Sequence, residues 1–386
     1  MAYLVERMRP FTSTIFAEMS ALAVRTESIN LGQGFPDTDG PASLLDDAIA
    51  AIKSGANQYP PGIGIPELRH AVARHQQRFY GTDVDPDTEV LVTAGATEAI
   101  AASILALTEH GDEVVTFEPY YDSYAASIAL AGATRRTVVL RRPDFAFDPD
   151  ELRAACSERT KVILLNSPHN PTGKVFTREE LDLVAEAARA TGAIVVTDEV
   201  YEHQTFDGKP HIPIATLPGM ADRTITISSA AKTFSVTGWK IGWLHARAEL
   251  VAAVRAVKQF LTYVNGAPFQ PAVARALDLD DGFYTDLAAG LQRKRDLLSG
   301  GLRAAGFDVF ASRGTYFVVT DAAPLGYEDG AELCWRLPEL VGVAAVPVAA
   351  FHDDPDAARS LVRFAFCKRD DVLQEAVERL AKLPRP

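Results

Sequence analysis

Ser228-Ser-Ala-Ala-Lys232-Thr-Phe-Ser-Val-Thr-Gly238-Trp-Lys240-Ile-Gly242 is the stretch on which the reading of this chain turns. It follows a short apolar run, Thr224-Ile-Thr-Ile, that reads as a strand. Most lysines sit on solvated faces, but Lys232 has Ala, Ser, Thr and Phe around it, which points to a closed pocket. A desolvated lysine holds its proton weakly and becomes a nucleophile toward an aldehyde. Lys240 lies two residues from a glycine on either side, Gly238 and Gly242, where backbone can approach an anion closely. The Ser229 hydroxyl and the Lys240 ammonium would together hold a phosphate, with Lys232 beside it. A lone lysine of this kind is more often a surface group with a buried stem, so the reading needs support from the rest of the chain.

Outward from this stretch the pattern is strand and helix in alternation. Glu89–Thr93, Glu113–Phe117, Lys161–Leu165, Ala193–Thr197 and Thr224–Ile227 are short runs, apolar throughout and not alternating, as strands covered on both faces are. Helices are expected over Ala42–Ala51, Pro66–Tyr80 and Gly95–Leu107, and over the stretch that Thr177-Arg-Glu-Glu180 opens with a capping box and that ends near Thr191. Further helices are expected at about Arg247–Thr262 and Gly282–Ala305. The fold class implied is α/β, a three-layer sandwich with a mainly parallel central sheet. Beyond residue 305 the pattern changes. Asp308–Ala311, Thr315–Thr320, Val341–Val348 and Leu361–Cys367 read as strands with helices between them, a smaller α+β domain completed by the N-terminal segment. The expected division is 41–285 for the large domain, with 1–40 and 286–386 forming the small one.

Ligands of open α/β sheets bind beyond the C-terminal ends of the strands, and the residues with chemistry gather there. Asp198-Glu-Val-Tyr201 ends one strand and supplies a carboxylate and a phenol. Asn166-Ser-Pro-His-Asn170-Pro-Thr-Gly173 ends another and presents an amide. An aldehyde that carries a phosphate describes pyridoxal 5'-phosphate, whose ring nitrogen must face a carboxylate if the ring is to act as an electron sink. Asp198 would serve there, and Tyr201 and Asn170 would reach the ring's phenolate oxygen. An isolated Asp capping a turn and a plain tight turn at Asn170 are the competing readings. Gly95-Ala96-Thr97 opens a helix whose free N–H groups suit a phosphate, although the Gly-Lys-Ser/Thr of a nucleotide P-loop is missing. Tyr121, after Glu118-Pro-Tyr, is placed to stack on a flat ring. Arg363 interrupts the apolar run Leu361-Val-Arg-Phe-Ala-Phe. A buried guanidinium demands an anion, here either a substrate carboxylate or an internal salt bridge.

Taken together these motifs resemble the pyridoxal-phosphate-dependent aminotransferases of fold type I, class I/II, over nearly the whole chain from Gly34 to Arg363. The resemblance implies Lys232 as the Schiff-base lysine, Asp198 on the ring nitrogen, Tyr201 and Asn170 on the phenolate oxygen, and Tyr121 stacked on the ring. It implies phosphate contacts from Gly95, Ala96, Thr97, Ser229 and Lys240, with Tyr59 reaching in from the second subunit of a homodimer. Substrate carboxylate would be held by Arg363, Asn170 and backbone at Gly34. Lys240 departs from aspartate aminotransferases, which carry arginine there. Leu-Gly-Gln-Gly-Phe-Pro-Asp and Asn-Gln-Tyr-Pro-Pro-Gly resemble the kynurenine/glutamine/methionine branch. Thr-Ile-Ser-Ser-Ala-Ala-Lys and Phe-Cys-Lys-Arg-Asp-Asp are most similar to actinobacterial N-succinyldiaminopimelate aminotransferases of the DapC type. N-succinyl-LL-2,6-diaminopimelate is therefore the expected donor and 2-oxoglutarate the acceptor. A broad methionine/glutamine/kynurenine aminotransferase and a cysteine-conjugate β-lyase are the alternatives. Asn265-Gly266, replacing bulkier groups of glutamine-type relatives, is expected to lengthen the side-chain pocket.

Composition narrows the partners. With a formal net charge of −13 over 386 residues, nucleic acid and anionic membranes are disfavoured. Three separated cysteines fit a reducing compartment, and the N-terminal residues lack the basic-then-apolar pattern of a signal peptide, so a cytoplasmic enzyme is expected. No His or Cys spacing resembles a metal site.

Overall fold

In the computed structural model, residues 3–385 are described. Seven strands form the central sheet, from edge to edge Val90–Ala94, Ile241–His245, Thr224–Ser229, Ile194–Asp198, Thr160–Asn166, Glu113–Glu118 and Thr134–Val139. Ile241–His245 runs antiparallel to both neighbours and every other pairing is parallel. Side chains alternate between the two faces, as the pleat requires. Val114, Val162 and Val196 pack with Ile100, Ile104 and Val254 on one side. Val115, Ile163 and Val195 pack with Leu181 and Val184 on the other. This is the expected three-layer sandwich.

Two of these strands escaped the sequence reading for identifiable reasons. Thr134–Val139 is an edge strand whose Arg135 and Arg136 pair with Asp353 and Glu113, so it lacks the apolar run of a covered strand. Ile241–His245 is hidden in the lysine-bearing stretch. The capping box forms as expected. Thr177 Oγ1 accepts from the Glu180 N–H at 3.2 Å, and Glu180 Oε2 accepts from the Thr177 N–H at 2.9 Å.

A second sheet of four antiparallel strands, Val346–Pro347, Leu361–Ala365, Phe317–Asp321 and Asp308–Val309, is backed by helices Asp281–Ala305, Gly330–Val341 and Asp370–Leu380. The single strand expected over Val341–Val348 is two short ones, because Val343–Ala344 leaves this sheet to pair in parallel with Ile29–Asn30. The N-terminal segment is thereby tied to the C-terminal part of the chain. The helix expected over Arg247–Thr262 stops at Lys258, and an unanticipated helix follows at Phe269–Leu277. Among the described residues no helix is long and apolar enough to cross a membrane.

Candidate active site

Four parallel strands point their C-terminal ends at one cleft of about 630 Å³. Twelve of the thirteen residues singled out in the sequence line it: Gly34, Gly95, Ala96, Thr97, Tyr121, Asn170, Asp198, Tyr201, Ser229, Lys232, Lys240 and Arg363. Tyr59 does not. It stands 81% exposed beside Asn265 and Gly266 in a smaller hollow, with its ring 5.5 Å edge-on from that of Tyr263.

Lys232 sits on a single helical turn, Ala230–Thr233, directly after the strand Thr224–Ser229. Its carbonyl accepts a hydrogen bond from Gln204 Nε2 at 2.9 Å, which fixes the turn. The ammonium lies 5.5 Å from the Tyr316 ring centre and 5.8 Å from that of Tyr201. Burial pushes its pKa down to about 8, against the opposing pull of Asp198. Asp198 is the last residue of its strand and is buried. Burial raises its proton affinity, while hydrogen bonds from Tyr124 Oη at 2.7 Å and the Val200 N–H at 3.3 Å hold it toward the carboxylate form. Its own carbonyl accepts from Asn166 Nδ2 at 2.8 Å and the Ser167 N–H at 3.1 Å, locking two strand ends together.

At the other end of the cleft the helix Gly95–Leu107 begins without a side-chain cap, so its first N–H groups remain available. Gly95 has φ +72°, a conformation that favours glycine, and a methyl group there would lie 3.3 Å from Lys240 Nζ. Lys240 has no ion-pair partner among the described residues. A helix N-terminus facing an unpaired ammonium is an anion cradle.

Arg363 closes the third side. It is 1% exposed, donates through Nη1 to Asn170 Oδ1 at 2.9 Å and through Nη2 to the Gly32 carbonyl at 2.7 Å, and its Nε has no partner. Phe317 lies flat beneath it, with the ring centre 3.9 Å away, and Phe16 and Phe351 flank it. No carboxylate pairs with it among the described residues, so the internal salt bridge considered from the sequence is absent. Burial lowers its proton affinity to about 10. Holding a guanidinium in this state costs several kcal/mol unless an anion arrives.

Sequence reasoning missed part of this site. Tyr124 falls on the same helical face as Tyr121, and that spacing was the available signal. Phe16 and the wall formed by Met8, Phe11, Ser13 and Thr14 come from the N-terminal segment, where the sequence has little regular pattern.

Such a site, an anion cradle, a buried carboxylate and a desolvated lysine with a buried guanidinium opposite, belongs to an enzyme that handles a phosphorylated aldehyde and a carboxylate together. The chain is a member of the class I and II aminotransferase family, which it matches over residues 26–380, and these enzymes depend on pyridoxal 5'-phosphate. It is 56% identical over 98% of both chains to a probable N-succinyldiaminopimelate aminotransferase DapC of Mycobacterium tuberculosis. A solved structure of the N-succinyldiaminopimelate aminotransferase from that organism superposes with a TM-score of 0.97, covering 98% of this chain and 100% of the other. A methionine aminotransferase of Escherichia coli is 40% identical over 96% of both chains. The kynurenine–oxoglutarate transaminase of Dictyostelium discoideum is 36% identical over 97% of this chain and 95% of its own.

Proposed function

We propose that this aminotransferase moves the amino group of N-succinyl-LL-2,6-diaminopimelate to 2-oxoglutarate, working as a cytoplasmic homodimer. The observation that carries the donor is the 56% identity, over 98% of both chains, to the mycobacterial relative of that name. The residues present fit the cofactor. Gly95, Ala96, Thr97, Ser229 and Lys240 would hold its phosphate, Asp198 its ring nitrogen, Tyr201 and Asn170 its phenolate oxygen, and Tyr121 its ring face. When bound, pyridoxal 5'-phosphate supplies an aldehyde to capture the amino group and a ring that accepts the electron pair left at Cα.

The protein's own part follows from the geometry. Arg363 takes the α-carboxylate of the donor through its free edge and, with Asn170, fixes which bond at Cα faces Lys232. The Lys232 amine, with a pKa near 8, is partly unprotonated in neutral to mildly alkaline solution and takes the Cα proton as general base. Asp198 keeps its charge through Tyr124. Phe16, Phe317 and Phe351 exclude water around the guanidinium, which strengthens the ion pair it makes.

Tyr59 is assigned to the phosphate of the neighbouring subunit, an account of why so large a ring is exposed beside Tyr263. We assign residues 41–285 to the large domain and 1–40 with 286–386 to the small one. A panel of amino donors, each scored by conversion of the bound cofactor to its amine form, tests the donor. N-succinyldiaminopimelate should give the highest kcat/KM. Faster turnover of methionine or kynurenine would favour the second reading, to which the Escherichia coli relative lends support.

A further inference from the structure

On the opposite side of the strand ends from the cleft lies a cluster of side chains that transamination does not use. The turn after Asp198 sends Tyr201 into the cleft and Glu202 and His203 away from it. They meet His75 from the helix Pro66–Tyr80. We propose that His75, His203 and Glu202 bind one divalent transition-metal ion, zinc(II) by donor type, which ties that helix to the turn carrying Tyr201.

The ligand atoms of all three lie within 4.8 Å of one another. The two imidazoles turn the same atom, Nε2, toward each other at 2.6 Å, with their planes 88° apart. Two zinc–nitrogen bonds of about 2.0–2.1 Å at a tetrahedral angle place the nitrogens about 3.3 Å apart. The rings must therefore open slightly, and His203, the less buried of the two, would shift against Phe79 and Tyr284, whose ring centres lie 4.7 Å and 4.3 Å from its own. Burial holds both rings in the neutral form that ligates, pushing His75 down to about 3 and His203 well below its usual range. Glu202 is held by Ser228, whose Oγ donates to Oε1 at 2.5 Å, and by the Tyr80 hydroxyl, so the carboxylate is oriented by two donors before it meets a ligand. Such outer hydrogen bonds orient metal-binding groups.

Charge balance gives the second, independent argument. Two carboxylates, Glu199 and Glu202, are buried here. Glu199 pairs with His211 Nε2 at 2.8 Å, but Glu202 has no ion-pair partner among the described residues. The nearby guanidinium of Arg78 is taken by Asp281 at 2.5 Å. A buried carboxylate without a cation is costly, and a divalent ion would offset it. Two imidazoles and one carboxylate suit zinc, cobalt or nickel and not the all-oxygen preference of magnesium or calcium.

The test uses the holoenzyme after dialysis against a chelator. Zinc(II) titration in competition with a chromophoric chelator should give one equivalent per chain. Cobalt(II) should produce visible ligand-field absorption without altering the cofactor band. His203→Gln and His75→Phe should each weaken zinc affinity by more than the roughly 10–100-fold that loss of an outer partner costs. If one variant fails to fold, the other and the cobalt spectrum of the unmodified protein still decide. Binding of less than a tenth of an equivalent, binding unaltered in a folded variant, or metal seen only at the cofactor would each overturn the proposal.

Discussion

Tyr124 donates its hydroxyl hydrogen to Asp198 Oδ2 at 2.7 Å, and both side chains are buried. A carboxylate in that setting tends to take up a proton, and the phenol opposes this because it stabilises only the charged form. The sheet places the acid and the helix Asp122–Ala131 supplies the donor that keeps it ionised.

Tyr124→Phe removes that donor. The proton affinity of Asp198 rises, so the acid limb of kcat moves to higher pH and activity is lost first on the acid side. Loss of a hydrogen bond to a charged group also destabilises the fold by about 1.5–3 kcal/mol. A pH–kcat profile with an unmoved acid limb would remove Tyr124 from this role.

Lys232→Ala leaves a folded protein, since the turn is held by the backbone carbonyl that Gln204 contacts. kcat should fall by at least about 10²-fold, the lower end of what a positioned proton carrier contributes. Borohydride treatment should no longer fix the cofactor to the chain. Fixation at another lysine would overturn the assignment.

Arg363→Lys keeps the charge but loses the planar fork, and Nζ cannot face a carboxylate with two parallel bonds. kcat/KM for every amino donor should drop by about 10²–10³-fold, the scale of losing a partner from a desolvated charge pair. Arg363→Gln should do no better. An unchanged KM for donor and acceptor in either variant would place the carboxylate elsewhere.

Tyr59→Phe should speed cofactor loss on dialysis while the thermal midpoint stays put, because the exposed hydroxyl has no hydrogen-bond partner among the described residues of its own chain. Sedimentation showing a fully active monomer would defeat the shared-site reading.

Gly266 corrects an expectation. Its φ is +56° and a Cβ added there would lie 2.2 Å from Ile241 Cδ1, so a side chain meets both backbone strain and a clash. Asn265 is likewise occupied, with Nδ2 donating to the Thr93 carbonyl at 3.1 Å and the Lys240 carbonyl at 3.0 Å. Gly266→His should therefore cost about 1–2 kcal/mol for the left-handed backbone and about 1–3 for overpacking. Activity should decline on short and long donors alike, as kcat/KM ratios would reveal. A loss confined to N-succinyldiaminopimelate would restore the pocket-wall reading.

The cofactor end of the site was legible because its groups are local. Lys232 with Lys240, Asp198 with Tyr201, and Gly95 with Thr97 each lie within a few residues at a strand end, where chemistry, turn residues and an apolar run coincide. The surroundings of Arg363 were not legible. Phe16, Phe317 and Phe351 come from three distant segments, and nothing in a run of sequence announces that three phenylalanines will surround one guanidinium. The His75–His203 contact was hidden for the same reason. The edge strand Thr134–Val139 was missed because solvent on one side replaces the apolar pattern with arginines.

The pairing of Ile29–Asn30 with Val343–Ala344 sets an order of events during synthesis. The first strand emerges from the ribosome more than three hundred residues before its partner. Until then Ile29–Asn30 has no strand to pair with, although the turn Glu6–Phe11 can rest on the helix Asp122–Ala131 and the strands of the large sheet can pair with near neighbours in sequence. The anion cradle is complete once Lys240 and the strand after it have emerged, whereas the carboxylate seat at Arg363 closes only with the last fifth of the chain. Contacts so far apart in sequence form slowly, and the nascent enzyme must shelter an unpaired edge for most of its translation.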